Sequence, residues 1–198
     1  GTDQSKLQID TIPDSKDPAL GLTPRVCYEI DAAKHQDVFA VLKSAFCSAQ
    51  NSDFNLANAV VRVKTGGKGL KMGDNLGATS GGAIIVDGPI EVGTFRSADN
   101  PEKAQLMILA EKGAITVRNS GQHPTLAYLV ALDKSDGEVK PASKQAPLQL
   151  FGGIAAHTLD PDNFAGGGGI MYNQSFDPTV NPVENFVGVV IGPSGGEI

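Results

Sequence analysis

The apolar residues of this chain fall into short runs separated by glycine, proline, asparagine and aspartate. Runs of this length, rich in valine and isoleucine and bounded by turn formers, are typical of β-strands. The clearest of them predict strands at residues 25–30, 58–65, 83–95, 126–132 and 187–192. Asp87-Gly88-Pro89 interrupts the run at 83–95, which therefore predicts two strands joined by a bend.

A further pair of apolar runs, at residues 104–111 and 113–118, predicts a β-hairpin that turns at Lys112 and Gly113. The first run also consists of good helix formers, so a helix stays open as the alternative there. The strings at 82–86 (GAIIV) and 113–117 (GAITV) are similar, but strand-forming residues coincide easily by chance. We therefore assign no internal repeat from the sequence.

One stretch has the period of a helix. Val38, Leu42 and Ala45 recur at the spacing that places side chains on one helical face. Asp31 lies ahead of them and is a favourable N-cap residue. The pattern predicts a helix over residues 32–50 that packs against a core.

Together these elements predict a β-rich α+β fold with about ten short, mostly antiparallel strands, arranged as a sandwich or barrel, and one packed helix. Residues 1–24 are polar and predict an extended N-terminal arm. Residues 25–198 predict a single β-rich domain, within which residues 119–125 offer a sub-boundary.

Two glycine-rich segments, residues 66–82 and 160–186, interrupt the strand pattern. Long glycine-rich connections are exposed and often carry contacts with partners, so we expect two interaction loops here. The side chains expected to make these contacts are Lys68, Lys71, Asp74, Asn75, Asp162, Asn163, Tyr172 and Phe176.

The net charge of −6 argues against nucleic acid as a partner, because phosphate contacts need clustered lysine and arginine. No apolar run has the length of a membrane-spanning helix, so the sequence predicts no membrane insertion. The cysteines, Cys27 and Cys47, leave two interpretations open: one disulfide, or two small buried apolar side chains.

The sequence contains no motif that supports catalysis. The glycine-rich segment at 66–82 contains neither G-x-x-x-x-G-K-[ST] nor G-x-G-x-x-G, and its string GATSG at 77–81 does not match G-x-S-x-G. His35, His123 and His157 share no metal-ligand spacing. We therefore predict no catalytic residue, no cofactor and no metal, and expect a protein that is not an enzyme.

The string ALDKSDGEVKPASKQAPLQLFGGIAAH at residues 131–157 resembles a segment of phage head decoration and capsid cement proteins. In that family, a small residue and a Leu-Asp pair precede a turn, a strand with a run like GKVVPA follows, and a glycine-rich strand ends the unit. The resemblance implies a β-rich domain that oligomerises on a capsid and stabilises the shell, without catalytic residues.

We therefore expect a non-enzymatic structural or assembly protein of the virion that acts through protein–protein contacts. Its partners would be copies of itself, with a trimer among the candidates, or a capsid shell. The alternative is a secreted or cell-surface binding module that uses the loops at 66–82 and 160–186.

Overall fold

The computed structural model of the chain describes residues 3–12, 25–47, 53–96, 106–119 and 122–173. These residues form a parallel β-solenoid of about five turns, in which successive turns of the chain stack along one axis. The strand predicted at 187–192 and the candidate residue Phe176 lie outside the described residues.

The strands of the described residues, in chain order, are β1 (Gln8–Ile12), β2 (Arg25–Asp31), β3 (Asp53–Phe54), β4 (Val60–Lys64), β5 (Leu70–Lys71), β6 (Gly77–Ala78), β7 (Gly82–Val86), β8 (Ile90–Val92), β9 (Leu106–Ala110), β10 (Ile115–Val117), β11 (Tyr128–Ala131), β12 (Val139–Pro141), β13 (Leu148–Ala156) and β14 (Gly168–Tyr172). One α-helix, α1 (Val38–Phe46), lies between β2 and β3, and short 3-10 helices span Gln4–Lys6 and Pro161–Phe164.

The solenoid has three sides. The largest sheet has the strand order β1-β2-β4-β7-β9-β11-β13-β14, and its neighbours are parallel except for β1 and β2, which are antiparallel. A second, parallel sheet has the order β12-β10-β8-β5. The third side contains the pair β3 and β6, and single bridges there join Leu76 to Phe95 and Thr125 to Leu150.

Equivalent residues of successive turns form columns across the largest sheet. The core column consists of Tyr28, Val61, Ile84, Ile108, Leu129 and Ile154, which pair in register from β2 to β13. These side chains meet Ile90 and Ile115 of the second sheet in the solenoid core. Stacking of like residues lets each turn bury the apolar face of its neighbour.

The length of one turn varies along the chain. It is 33 residues from Tyr28 to Val61, where α1 is inserted, but 21 from Ile108 to Leu129 and 25 from Leu129 to Ile154. Because the turns differ in length, the solenoid has no fixed period that a search for repeats would find.

The helix α1 is shorter than the one predicted over residues 32–50. Its N-cap is Asp37, whose carboxylate accepts a hydrogen bond from the N–H of Ala40 at 2.9 Å. The predicted cap, Asp31, is instead the last residue of β2. Leu42 is fully buried, in agreement with its position on the predicted apolar face.

Two elements cover the first turn. Strand β1 pairs antiparallel with β2, so residues 8–12 of the segment predicted as an arm belong to the largest sheet. In the first turn, α1 takes the position that strands of the second sheet occupy later, and its Phe46 ring meets Tyr28 edge-on at 5.0 Å between centroids. Such caps shield the apolar end of a solenoid.

The predicted sandwich or barrel of mostly antiparallel strands is wrong. Residues 104–118 do contain two strands, β9 and β10, but these do not form a hairpin: β9 pairs in parallel with β7, and β10 pairs in parallel with β8. The glycine at Gly113 turns the chain around a corner of the solenoid and does not reverse it. The bend predicted at Asp87-Gly88-Pro89 is confirmed, and it also joins strands of different sheets.

Candidate interaction surface at the C-terminal end

The bends that follow the strands of the largest sheet stack on one another from one solenoid turn to the next. Aspartate side chains in these bends accept hydrogen bonds from the bend of the preceding solenoid turn. Asp87 accepts a hydrogen bond from the N–H of Thr65 at 2.7 Å, one turn earlier. Asp133 accepts one from the N–H of Gly113 at 2.8 Å, also one turn earlier. Backbone N–H donors of Ser135 and Gly113 hold the pKa of Asp133 well below its usual range.

An open cleft of about 670 Å³ lies beside this line of turns. Its charged side chains are Asp136, Glu138, Lys140 and Asp160. Glu138 accepts a hydrogen bond from Asn163 at 2.8 Å, which lowers its pKa, and Lys140 Nζ lies 3.1 Å from its other oxygen. Lys140 compensates the charge of Glu138, and the three carboxylates with one lysine leave the cleft with a net negative charge.

The carboxylate of Asp160 in the cleft has a structural role. Asp160 caps the 3-10 helix Pro161–Phe164 by accepting a hydrogen bond from the N–H of Asp162 at 2.9 Å. In the part of the chain that the structure describes, no three histidine, cysteine, aspartate or glutamate side chains come together in a way that could hold a metal ion.

Strand β13 turns a corner and so brings β14 to the end of the solenoid. Residues 148–152 of β13 pair with β14, and residues 153–156 pair with β11. The corner requires glycine: a Cβ at Gly152 would collide with the carbonyl oxygen of Ala127, and one at Gly153 with the ring of Tyr128. These close approaches position β14 as the last strand of its sheet.

Strand β14 exposes three consecutive apolar side chains. Ile170 is 43% exposed, Met171 52% and Tyr172 55%. Leu159, which lies between β13 and β14, is 56% exposed. Four of the six large apolar side chains that the described residues expose thus lie within residues 159–172, at one end of the molecule.

Within the described residues, β14 is also the last strand of its sheet, and no described strand pairs with it on the side away from β13. Its sequence, GGIMY, contains no charge that would repel another strand. Apolar, uncharged strands at the end of a sheet are templates for pairing with a second chain.

Asn163, which the sequence predicts to contact a partner, instead anchors the last described turn from within. Asn163 is buried, and its amide donates hydrogen bonds to Glu138 at 2.8 Å and to the carbonyl of Val139 at 3.3 Å. Phe164 packs against the core cluster beside it. Asp162 is exposed on the same 3-10 helix.

The predicted loop at 66–82 is largely solenoid structure. It contains β5 and β6, and its residues Leu70, Met72 and Leu76 are buried. Its glycines predict an exposed loop from the sequence, but several of them allow close contact between turns.

The polar candidates in this segment differ in their surroundings. Lys68 is exposed, and Lys71 Nζ lies 3.2 Å from Glu91 on the second sheet. Asp74 accepts a hydrogen bond from the N–H of Thr94 at 2.9 Å, and Asn75 is exposed beside it. Asp74 is therefore engaged in binding the next turn.

The two predicted interaction loops are not brought together. The turn with Lys68 follows β4 and the turn that leads to Asp162 follows β13, with three turns between them. At about 4.8 Å between neighbouring strands, this places them roughly 19 Å apart. Of the residues predicted to contact a partner, Tyr172 lies on the exposed strand β14. The prediction missed its neighbours Ile170 and Met171, although both directly follow the glycine run.

Cys27 and Cys47 are not joined by a disulfide. Cys27 packs against apolar residues on the outer face of the largest sheet, whereas Cys47 packs against the core cluster on the inner side. Burial raises the pKa of the Cys47 thiol to about 11. No helix among the described residues is long and apolar enough to cross a membrane.

Comparison of the chain with family models, curated proteins and solved structures finds no match. The geometry therefore defines only the class: a parallel β-solenoid whose last described strand is uncharged and exposes apolar side chains.

Proposed function

We propose that this protein is a non-enzymatic structural or assembly protein that joins copies of itself through β14. The observation that carries the proposal is the exposure of Ile170, Met171 and Tyr172 on β14, the last strand of its sheet among the described residues. An exposed, uncharged apolar strand at the edge of a sheet favours β-augmentation by another chain.

A second copy of this chain is a suitable occupant of that edge. Two β14 strands related by a two-fold axis pair antiparallel, and each presents the same surface to the other. The strand has no charge, so the net charge of −6 is not concentrated where the copies meet. A contact of one strand pair is smaller than a standard interface of ~1,200 Å², so we expect association on the order of micromolar.

The proposed location of such an assembly is a virion, where the protein would decorate a capsid shell. The support for this location is the resemblance of residues 131–157 to phage head decoration proteins. Those residues contain β12, all of β13 and the turns around them, next to the proposed contact.

The proposal is tested by light scattering of the full chain over a range of concentrations. We expect the wild type to gain mass with concentration and Ile170→Glu combined with Tyr172→Glu to remain monomeric. The matched control is Ile9→Glu on β1, because Ile9 is equally exposed (54%) but lies at the opposite end. A wild type that stays monomeric at high concentration, or a control that loses association equally, would contradict the proposal.

A second candidate function is ligand binding by a secreted or cell-surface module. The observation in its favour is the cleft with Asp136, Glu138 and Asp160, whose carboxylates favour a cationic ligand. A monomeric wild type whose melting temperature rises with a polyamine such as spermidine, and no longer does so in Asp136→Asn, would favour this function over assembly.

A further inference from the structure

Met171 is the oxidisable side chain of β14. It is 52% exposed, whereas the other two methionines of the chain, Met72 and Met107, are 0% and 6% exposed. Peroxides convert the thioether of methionine into a sulfoxide, and the sulfur must meet the oxidant for this to happen. Solvent access therefore directs a peroxide to Met171 before it reaches the two buried methionines.

Within the described residues, Met171 has a strand beside it on one side only. It pairs in register with Phe151 of β13, whereas Ile170 pairs with Leu150, which is fully buried. Successive side chains of a strand point to opposite faces, so Met171 lies on the face of the sheet opposite to Leu150. No described strand flanks β14 on the side away from β13, which accounts for the exposure of the thioether.

Gly169 leaves a space on the same face of β14. It lies two residues before Met171, so the two residues share one face, and no described atom lies within 4 Å of a Cβ placed at Gly169. In an antiparallel pair of β14 strands centred on Ile170, Met171 of each copy lies opposite Gly169 of the other copy. Each long, flexible thioether then fills the space at the glycine of the other strand, and the two thioethers lie close together across the two-fold axis.

We propose that Met171 is an oxidation site at which a peroxide switches off self-association through β14, an inference that rests on the proposed function. With hydrogen peroxide, the O–O bond breaks, one oxygen atom bonds to the sulfur of Met171, and the other leaves as water. The sulfur loses two electrons and the peroxide gains them, so the products are one sulfoxide and one water molecule for each peroxide consumed.

The sulfoxide does not fit the paired arrangement. Its polar S–O group is hydrated in the separate chain, whereas in the pair two such groups lie close together and partly out of water. Removing a polar group from water without giving it a hydrogen-bond partner costs free energy, so oxidation favours the separate chain. Pairing in turn covers Met171, so the oxidant reacts mainly with chains that are not paired.

Peptide mass spectrometry after exposure to hydrogen peroxide tests the site. At a chain concentration of about 1 µM, we expect Met171 to be oxidised at least about tenfold faster than Met72 and Met107. At about 200 µM, where pairs predominate, we expect the rate at Met171 to be at least about threefold lower and the rate at Met72 to be unchanged. Equal rates at the three methionines, or a rate at Met171 that does not depend on concentration, would overturn the inference.

Light scattering of the oxidised full chain tests the effect on association. Dithiothreitol is present throughout, because it reverses disulfides and leaves sulfoxides in place. We expect oxidation to raise the dissociation constant of the pair at least about tenfold, and treatment with methionine sulfoxide reductases for both epimers to restore it. An oxidised chain that associates as tightly as the untreated chain would refute the switch.

Two conservative variants, each compared with itself before and after peroxide, identify the methionine that is responsible. Met171→Leu has no thioether on β14, so peroxide should leave its dissociation constant where it was. Met107→Leu keeps Met171 and should lose association as the wild type does. Loss of association in oxidised Met171→Leu, or resistance in Met107→Leu, would assign the effect to another residue and overturn the inference.

Failure of this inference is distinguishable from failure of the proposed function. Association of the untreated wild type tests the proposed function, and its response to peroxide tests the role of Met171. A wild type that associates and keeps its dissociation constant after oxidation contradicts only the switch, whereas an untreated wild type that stays monomeric contradicts both.

Discussion

The carboxylate of Asp133 accepts a hydrogen bond from the backbone N–H of Gly113 at 2.8 Å and so joins the corner after β11 to the corner after β9. Gly113 has a φ of +75°, in the left-handed region that favours glycine. The same carboxylate accepts hydrogen bonds from the N–H and hydroxyl of Ser135. One side chain thus shapes its own corner and fixes the preceding one.

The substitution Asp133→Ala should lower the free energy of unfolding at neutral pH and make that free energy less dependent on pH. Because hydrogen bonds lower the pKa of Asp133 in the folded chain, its contribution is present above the unfolded pKa of about 4 and is lost as the pH falls toward the lowered folded value. Urea unfolding at pH 7 and pH 3 should show a smaller gap between variant and wild type at pH 3. The control is Asp136→Ala in the same corner, which should change the free energy of unfolding little. An equal difference between Asp133→Ala and wild type at both pH values would refute the role of the Asp133 carboxylate.

Arg118 connects three successive solenoid turns beside the second sheet. Its Nη2 donates to the carbonyl of Met72 at 3.0 Å, Nη1 lies 3.2 Å from Asp74, and Nε lies 2.9 Å from Glu91. Arg118→Lys keeps the charge but loses the planar fork, so we expect the free energy of unfolding to fall by about 1–2 kcal/mol in urea titrations.

The matched control for that variant is Arg62→Lys. Within the described parts of the chain, Arg62 pairs with Glu111 alone, and both side chains are substantially exposed. Exposed pairs contribute little, so a change within about 0.5 kcal/mol is expected. Equal losses in the two variants would show that the contacts of Arg118 across the turns do not stabilise the fold.

Gly93→Ala tests how closely neighbouring turns pack. A Cβ at Gly93 would collide with the carbonyl oxygen of Gly73 in the preceding turn, and backbone cannot move aside as a flexible side chain can. We expect a loss of about 1–3 kcal/mol in unfolding free energy. Gly169→Ala on β14 has no atom within 4 Å of the added Cβ and should be nearly neutral; a neutral Gly93→Ala would contradict the close spacing of these turns.

Cys47 should react slowly with iodoacetamide. Its pKa of about 11 leaves little thiolate at pH 8, so we expect alkylation on the order of a hundredfold slower than for the same thiol in guanidinium. The reaction is followed by mass spectrometry of the Cys47 peptide. Because the two cysteines are not joined by a disulfide, reductant should leave the melting temperature unchanged. A drop in melting temperature with reductant would indicate a disulfide.

Much of the local structure follows from the sequence. The apolar runs at 58–65 and 83–95 contain β4, β7 and β8, and the bend at Asp87-Gly88-Pro89 lies where turn formers interrupt the run. Such features depend on neighbouring residues only, so the pattern predicts them. The apolar strand β14 is equally visible after its glycine run, but the glycines and prolines around it predict an irregular loop instead.

Pairing between distant residues was decided by the tertiary structure. The turn at Lys112-Gly113 is compatible with a reversal or with a corner, and only the parallel partners of β9 and β10, one turn earlier, select the corner. Likewise, nothing local distinguishes Asn163, which anchors the last turn from within, from its exposed neighbour Asp162.

The sequence by itself determined that the chain is β-rich, with short strands, sharp turns and little charge on the apolar runs. The tertiary structure decided that these strands wind in parallel into a solenoid with turns of unequal length, and that its last described strand exposes apolar side chains. The physical reason is that strand propensity and turn formation are set by adjacent residues. Direction of pairing and exposure of an edge depend on backbone hydrogen bonds between residues 20 or more positions apart.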